Sequence, residues 1–561
     1  MKNILVVECV STGLNYIEDI IQRGYNPVAL SVRVGEDAQI YAKVVEDSLK
    51  RIPYPFDKIK EQDTYEETLE LVRSYNPVVI VPGSEGGVVL ANRLAQDLGL
   101  KGNPMDRIDA MTKKNAMQEA LKEAGCRYIR GKVVGSAEEA KEYCLENGFH
   151  TAVVKPLESA GSMGVTLCND TQEVYEAVNA LLSAEDMYGR KITSCLVQER
   201  IVGTEYIVNT ISSGGRHRLS SIFRYTKVRT AEGGHIYNYM EEVGTLEPGT
   251  RDLVEYALAT ADAIGFQYGE VHGEYMVDEK GPVLIEVNCR PMGNSFPADY
   301  LNRCFGQHET DSILDAYLDP AKFEEDAAKP YKTYCALATK FLMVPKEMEA
   351  ESIPLRVIAK HLRSTYQVTA AEDNAYTDLV KTIDLETNGG EVYMIHEDRE
   401  VLRRDLELLC EIEKKYFGFL ISDGTNHRLV PMKDEQEDNP ADIIRNYACH
   451  GSTLLVADKK YEIDNVLSIL PEDRTKVGRG FNNVVICLEK YYMEHKEAEN
   501  ISLSLELMKL VKKGGRVIVS EGACTYNAYG RQGAELMMQV LGMEIEYRKD
   551  GLNGGSVVGR C

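Results

Sequence analysis

The chain has 561 residues, 44% hydrophobic and 27% charged, with 64 Lys and Arg against 88 Asp and Glu, a net charge of −24. That length exceeds what one hydrophobic core serves, so roughly three to five modules are expected, and the acidic balance excludes a general nucleic-acid or anionic-membrane surface while leaving room for a local phosphate pocket. The 13 cysteines include no C-x-x-C pair, which argues against a zinc ribbon or thioredoxin motif and for a reducing, cytoplasmic setting. The apolar run near the N-terminus is too short for a signal-peptide core, and no run approaches the length of a membrane span.

Residues 1–105 alternate short apolar runs with amphipathic segments. Ile4–Val7, Pro27–Val32 and Val78–Val81 read as strands of a small parallel sheet, and Tyr16–Arg23, Tyr65–Tyr75 and Val88–Leu98 as helices. The loop Pro82–Gly87 follows a strand and opens a helix, where backbone N–H groups can hold an anion. A substrate carboxylate is expected there, beside Ser84 and Glu85. No G-x-G-x-x-G follows the first strand, which argues against a dinucleotide site.

Next comes a helix over Arg107–Ala124 with Lys113 and Lys114 near its start, where lysines oppose the macrodipole and need another reason to be present. Strands are expected at Arg130–Gly135, Thr151–Pro156 and Val165–Asn169, and a helix at Ala137–Asn147. Lys155 precedes the small-residue loop Glu158–Gly164, whose backbone N–H groups can close over phosphate oxygens. It is no Walker A loop: it lacks the G-K-[ST] ending and leads into a strand. Ser194–Gln198 is a further strand. The backbone at Glu199–Ile201 can read an adenine edge, and Glu205 can accept ribose hydroxyls. Tyr206–Ser212 and Arg218–Lys227 continue as sheet, Thr230–Asn238 as a loop, and Thr250–Ile264 as a helix.

The segment Tyr268–Asn294 carries the densest chemistry. Val271–Val277 and Val283–Asn288 read as a hairpin turning at Lys280. That register sets Glu274 opposite Glu286 and His272 opposite Asn288, with Val283, Ile285 and Val287 facing a core. Opposed like charges destabilise a sheet unless a cation lies between them. Mg²⁺ is held by one or two carboxylates together with substrate phosphates, so Glu274, Glu286, Asn288 and the nearby Arg290 read as a metal–nucleotide site.

Residues 296–325 read as helical. About 330–420 reads as a small α/β extension, with strands near Tyr334–Phe341 and Glu391–Ile395 and a helix over Glu397–Tyr416. A charged boundary lies near Pro431–Pro440. Residues 441–561 restart as α/β, with strands at Thr453–Ala457, Val484–Leu488, Arg516–Ser520 and Met543–Tyr547. Leu507–Gly522 resembles the later half of class I methyltransferases without their Gly-rich first motif, as in a degenerate relative.

The pieces MTKKNAMQEAL, VVKPLESAGSMGV, VQERIVGTEY and VHGEYMVDEKGPVLIEVNCRPMGN, in this order over about 105–295, resemble the ATP-grasp superfamily, and within it the carboxylate–amine ligases. The resemblance implies an α/β and α+β protein. Its parts are an N-terminal Rossmann-like domain (1–105), an ATP-grasp fold of a lid subdomain (106–195) and a large subdomain (196–430), and a separate C-terminal α/β domain (441–561). It implies ATP with Mg²⁺ or Mn²⁺ as cofactors. Lys114 and Lys155 would contact ATP phosphates under a flap of Ser159, Gly161, Ser162, Met163 and Gly164. Glu199 and Ile201 would flank adenine and Glu205 would hold ribose. Glu274, Glu286 and Asn288 would hold the metal, and Arg290 would act with Lys155 on the transferring phosphoryl group. Ser84, Glu85, His235, His272, Arg290 and Gly293 would face substrate. Lys113 stands where the family usually has Asp, so either lysine of that pair fits the phosphate role. The implied reaction activates an amino-acid-like carboxylate as an acyl phosphate and passes it to an amine. A bicarbonate-using carboxylase and a non-catalytic nucleotide sensor are the alternatives. The partners are small molecules, with no nucleic acid or membrane; the oligomeric state stays open, a homodimer being one option.

Overall fold

The structure is a computed structural model. It describes residues 1–33, 39–157, 164–185, 191–229, 235–344, 348–349, 354–369, 378–379, 381–382, 385, 387–413, 440–488, 491–492, 495, 497–519, 534, 537–548 and 557–561. The chain divides into two compact units. One holds residues 1–337 with 384–386, the other 338–383 with 387–561.

The first unit opens on a parallel sheet in the order β3-β2-β1-β4, made of β1 (Asn3–Val7), β2 (Asn26–Ser31), β3 (Asp57–Lys60) and β4 (Pro77–Pro82). The apolar runs arise because both faces are covered. Ile4 and Val6 pack with Ile17 and Ile20 on one face, Leu5 and Val7 with Val72 and Leu94 on the other. The strand β3 (DKIK) and the helix Gln39–Lys50 add to the expected elements. At the carboxyl ends of β1 and β4, where a doubly wound sheet binds nucleotides, the loops close on each other. A Cβ on Gly13 would lie 2.3 Å from the carbonyl oxygen of Gly83.

The lid subdomain is an antiparallel sheet in the order β5-β8-β6-β7, from β5 (Gly131–Val134), β6 (Ala152–Lys155), β7 (Thr166–Cys168) and β8 (Cys195–Glu199). Helices Ala137–Glu146 and Thr171–Leu182 supply Ala140, Cys144 and Val178 to its core with Val154 and Val197. The helix expected over Arg107–Ala124 is two helices, Ile108–Thr112 and Lys114–Glu123, broken where Lys113 takes extended backbone (φ −112°, ψ 121°).

The large subdomain is an antiparallel sheet ordered β13-β12-β9-β10-β11, from β9 (Thr204–Ser213), β10 (Arg216–Arg229), β11 (His235–Glu242), β12 (Gly269–Asp278) and β13 (Gly281–Asn288). Helix Pro248–Ala263 packs on it through Leu253, Ala257 and Ala261, against Val271, Tyr275, Leu284 and Val287. The expected loop Thr230–Asn238 is corrected in its second half: His235 begins β11, and 230–234 lie outside the described residues. The helical stretch after 296 is three helices, Ala298–Phe305, Glu309–Leu318 and Pro320–Ala327.

In the second unit, β14 (Ala336–Phe341), β18 (Glu391–His396) and β16 (Thr365–Val368) are neighbours in that order, and β15 (Met348–Glu349) pairs with β17 (Asp378–Leu379). Helix Arg399–Ile412 covers the expected Glu397–Tyr416 in part. Lys340 and Glu413, both buried, pair at 2.6 Å. The C-terminal sheet runs β20-β19-β21-β22-β24-β23, from β19 (Thr453–Ala457), β20 (Val466–Ile469), β21 (Phe481–Cys487), β22 (Val511–Val519), β23 (Glu544–Arg548) and β24 (Val557–Arg560). Only β24 runs antiparallel to β22 and β23; the pairings among β19, β20, β21 and β22 are parallel. The run that suggested a methyltransferase folds as a helix end and β22, and its tail 520–522 lies outside the described residues. Among the described residues no helix is long and apolar enough to cross a membrane.

Candidate active site

The hairpin of β12 and β13 is the floor of a cleft of about 1580 Å³. Its register is His272 opposite Asn288 and Glu274 opposite Glu286, as the sequence predicts. Between Glu286 and Leu284 the ladder slips by one: Tyr275 faces Leu284, and Ile285 has no partner in the register. A bulge of this kind reverses the alternation beyond it. Of the expected core set, Val283 and Val287 are buried, and Ile285 is corrected. Leu284 joins Val287 in the core, and Ile285 turns to the cleft beside Glu286.

Period-two alternation along β12 brings His272, Glu274 and Met276 onto the cleft face. Burial, followed by repulsion from Glu286, pushes the Glu274 carboxyl up to about 7. Burial acts upward on Glu286 too, but Lys114 and Lys155 beside it hold its carboxyl below the usual range. Lys114 Nζ lies 2.8 Å from Glu286 Oε2. Lys155 is buried, and burial, with Lys114 adding repulsion, lowers its ammonium to about 8. The helix break decides between the neighbouring lysines. Lys114 starts the second helix and turns inward, whereas Lys113 pairs with Asp109 at 3.0 Å on the half-exposed rim. The Lys114 N–H also reaches the Leu157 carbonyl at 3.4 Å, tying this helix to the strand that carries Lys155.

The donor set fits a hard divalent ion. Two facing carboxylates and the Asn288 side chain, hydrogen-bonded to Glu286, are all-oxygen ligands. Among the described residues no group of three His, Cys, Asp or Glu could hold a metal. Water and phosphate oxygens would thus complete the shell, which is the usual Mg²⁺ arrangement beside a nucleotide.

Glu199, Ile201 and Glu205 also line the cleft. Glu199 is spoken for: Arg130 Nη2 binds its Oε2 at 2.7 Å, and the Arg130 N–H donates to Oε1 at 3.1 Å. Glu205 is gripped by Lys227 Nζ at 2.7 Å and by the Tyr237 hydroxyl at 3.0 Å.

His272 is buried and donates from Nδ1 to Asn209 Oδ1 at 2.8 Å. The Asn209 amide is oriented by its NH₂, which faces Ser221 Oγ (2.9 Å) and Met292 Sδ (3.5 Å), the latter only an acceptor. Burial first, then Arg290, keeps the imidazole neutral by pushing it well below its ordinary value. Its Nε2 lone pair lies 3.7 Å from Glu274 Oε1. Arg290 leaves the end of β13 with Nε 3.7 Å from Glu85 Oε2. Ser84, Glu85 and Gly293 line the same end of the cleft.

Not every expected residue is placed. Ser159, Gly161, Ser162 and Met163 lie outside the described residues, and so does the side chain of His235. Gly164 is described, with φ +73° and a Cβ position only 3.0 Å from Pro156. Sequence reading missed Arg130, Asn209, Lys227 and Tyr237. The signal for Asn209 was present: a polar residue inside the apolar strand run YIVNTIS.

An antiparallel floor with paired carboxylates, two buried lysines from a neighbouring sheet and helix, and an arginine at the strand end thus line one cleft. The chain carries an ATP-grasp domain, and residues 149–299 match the family model of that domain. Among curated proteins it is 26% identical to dapdiamide A synthase of Enterobacter agglomerans over 356 residues, 63% of this chain and 83% of that one. It is 24% identical to alanine–anticapsin ligase of Bacillus subtilis, over 48% of this chain and 59% of that one. Among solved structures it resembles an L-amino acid ligase from Bacillus licheniformis with a TM-score of 0.58 at 16% identity, covering 73% of this chain and 97% of that one. That last likeness is one of fold.

Proposed function

We propose that this protein is an ATP-dependent ligase that joins an amino-acid carboxylate to an amine through an acyl phosphate, releasing ADP and phosphate. The observation that carries the reading is the Arg290–Glu85 pair, 3.7 Å apart at the end of the cleft past the buried lysines. A cation and an anion side by side suit a zwitterion: Arg290 for the carboxylate that receives the phosphoryl group, Glu85 for the α-ammonium. This assigns the loop Pro82–Gly87 an ammonium partner instead of the carboxylate expected from its helix start. The match to a protein named alanine–anticapsin ligase supports the same class.

Carboxylates do not acylate amines unaided at neutral pH, so the protein's task is positioning and charge stabilisation. Lys114 and Lys155 place positive charge on the phosphates, and Glu205 faces the ribose. Glu274, Glu286 and Asn288 would hold Mg²⁺, which would supply positive charge against the nucleotide phosphates. Arg290 stabilises charge on the transferring phosphoryl group; a preorganised donor of this kind contributes about 3–4 kcal/mol. The neutral His272 offers a lone pair toward the reacting end.

A phosphate-release screen of amino-acid pairs with ATP and Mg²⁺ tests the reading. Turnover that requires two amino acids, or an amino acid and another amine, supports it. Turnover that requires bicarbonate points to a carboxylase, and nucleotide binding without turnover to a sensor.

A further inference from the structure

The loop leaving the carboxyl end of β1 reaches across the first unit to the segment that follows Arg290. The Thr12 hydroxyl donates to the Gly293 carbonyl at 3.1 Å, and the Asn15 side-chain amide to the Phe296 carbonyl at 3.0 Å. Ser295 Oγ donates to Ser11 Oγ at 3.3 Å. Three residues of this seam hold left-handed backbone although none is glycine: Ser11 (φ 52°), Asn294 (φ 73°) and Ser295 (φ 51°). A β-carbon disfavours that region. Such conformations persist where the surroundings over-determine them, and they gather at functional sites. The bonds from Ser11–Asn15 are those surroundings. Thr12 is 1% exposed, so its hydroxyl is buried where it makes this bond.

Gly293 sits between the clasp and Arg290. Its φ is not left-handed, and a Cβ there would meet nothing within 4 Å. Neither backbone nor packing therefore demands a glycine at 293. Its open side lines the cleft, where a small residue leaves room for reacting atoms. The groups placed on the nucleotide phosphates, Lys114 and Lys155, belong to other elements.

We propose that Ser11–Asn15 is a positioning element of the ligation step. Through Thr12 it fixes the strap Gly293–Phe296, so that the acyl phosphate and the incoming amine meet beside Gly293. The inference rests on the ligase reading above.

The test compares Thr12→Val, which keeps shape and loses the donor, with Thr12→Ser, which keeps the donor, both in the full chain. Thr12→Val is expected to lower kcat for ligation at least about tenfold, since small misplacements are costly at a reacting centre, with KM for ATP and Tm near wild type. Thr12→Ser is expected to keep most of the activity. In Thr12→Val, amide hydrogen exchange at 294–296 should speed up. Wild-type kcat in Thr12→Val, or an equal loss in Thr12→Ser, would overturn the proposal, and so would unchanged exchange at 294–296. If wild-type protein shows no amino-acid-dependent ADP release with any pair, the ligase reading is what fails, and the positioning role in ligation falls with it. The exchange measurement then still decides whether the clasp holds the strap.

Discussion

Glu274 and Glu286 stand directly opposite each other on β12 and β13, one step before the bulge that frees Ile285. Lys114 closes on Glu286 at 2.8 Å, which leaves Glu274 the more protonated of the two. A divalent ion would take the place of that proton. Glu286→Gln should therefore raise the Mg²⁺ concentration for half-maximal activity by at least about tenfold, in line with the loss of a charged ligand at a site that offers two. An unchanged Mg²⁺ titration would remove Glu286 from the metal site.

The raised Glu274 carboxyl has a stability consequence with a definite sign. A group whose folded pKa lies above its unfolded value binds more protons in the folded state. Between its ordinary value of 4.5 and about 7, its contribution to stability falls as pH rises. The full span corresponds to an order of magnitude of about 3 kcal/mol. The metal-free protein should lose stability over this window relative to Glu274→Gln. Chemical denaturation of both proteins at pH 5 and pH 7.5 measures the difference, and parallel pH dependence would contradict the assignment. Adding Mg²⁺ with ADP should flatten the wild-type curve.

Lys155 titrates from the other side. Burial and Lys114 lower its ammonium to about 8, so part of the free protein carries it neutral above that pH. Phosphate oxygens favour the charged form. ADP binding is expected to take up protons at pH 8.5 and few at pH 6.5. Calorimetry in buffers of different ionisation enthalpy reads that uptake, and equal proton counts at both pH values would count against a Lys155–phosphate contact.

Gly293→Ala separates fold from function. A Cβ there meets nothing within 4 Å and the backbone is not left-handed, so Tm should stay within a few degrees of wild type. Ligase activity should fall at least about tenfold, because a methyl group intrudes on the space where reacting atoms must approach closely. Loss of Tm together with activity would show that the glycine is structural after all.

Glu85→Gln should raise KM for the amino acid that becomes the acyl donor and leave KM for ATP near wild type. Removing a uniform binding contact acts in that way on KM. An unchanged amino-acid KM would detach Glu85 from the ammonium.

The register of the floor was legible because polar residues recur at every second position in two short strands joined by a polar turn, and because Glu, Glu and Asn have no business sharing a face without a cation. Its bulge was not legible. Ile285 is apolar like its neighbours, and only the pairing with Tyr275 reveals that Leu284 takes the core position. The choice between Lys113 and Lys114 needed the helix break, which no proline or glycine marks in RIDAMTKKNAMQ. Lys227 and Tyr237 come to Glu205 from the next strands of the sheet, a long-range pairing that leaves little trace in either segment. The strand β3 was missed because DKIK has a single apolar residue and lies at the sheet edge.

The central claim is that this cleft makes an acyl phosphate. The direct measurement uses an amino-acid substrate labelled with ¹⁸O in its carboxylate, together with ATP, Mg²⁺ and an accepting amine, with mass analysis of the phosphate released. Transfer of one ¹⁸O into inorganic phosphate for each bond formed is the predicted result. Phosphate free of label, or AMP in place of ADP, would contradict it.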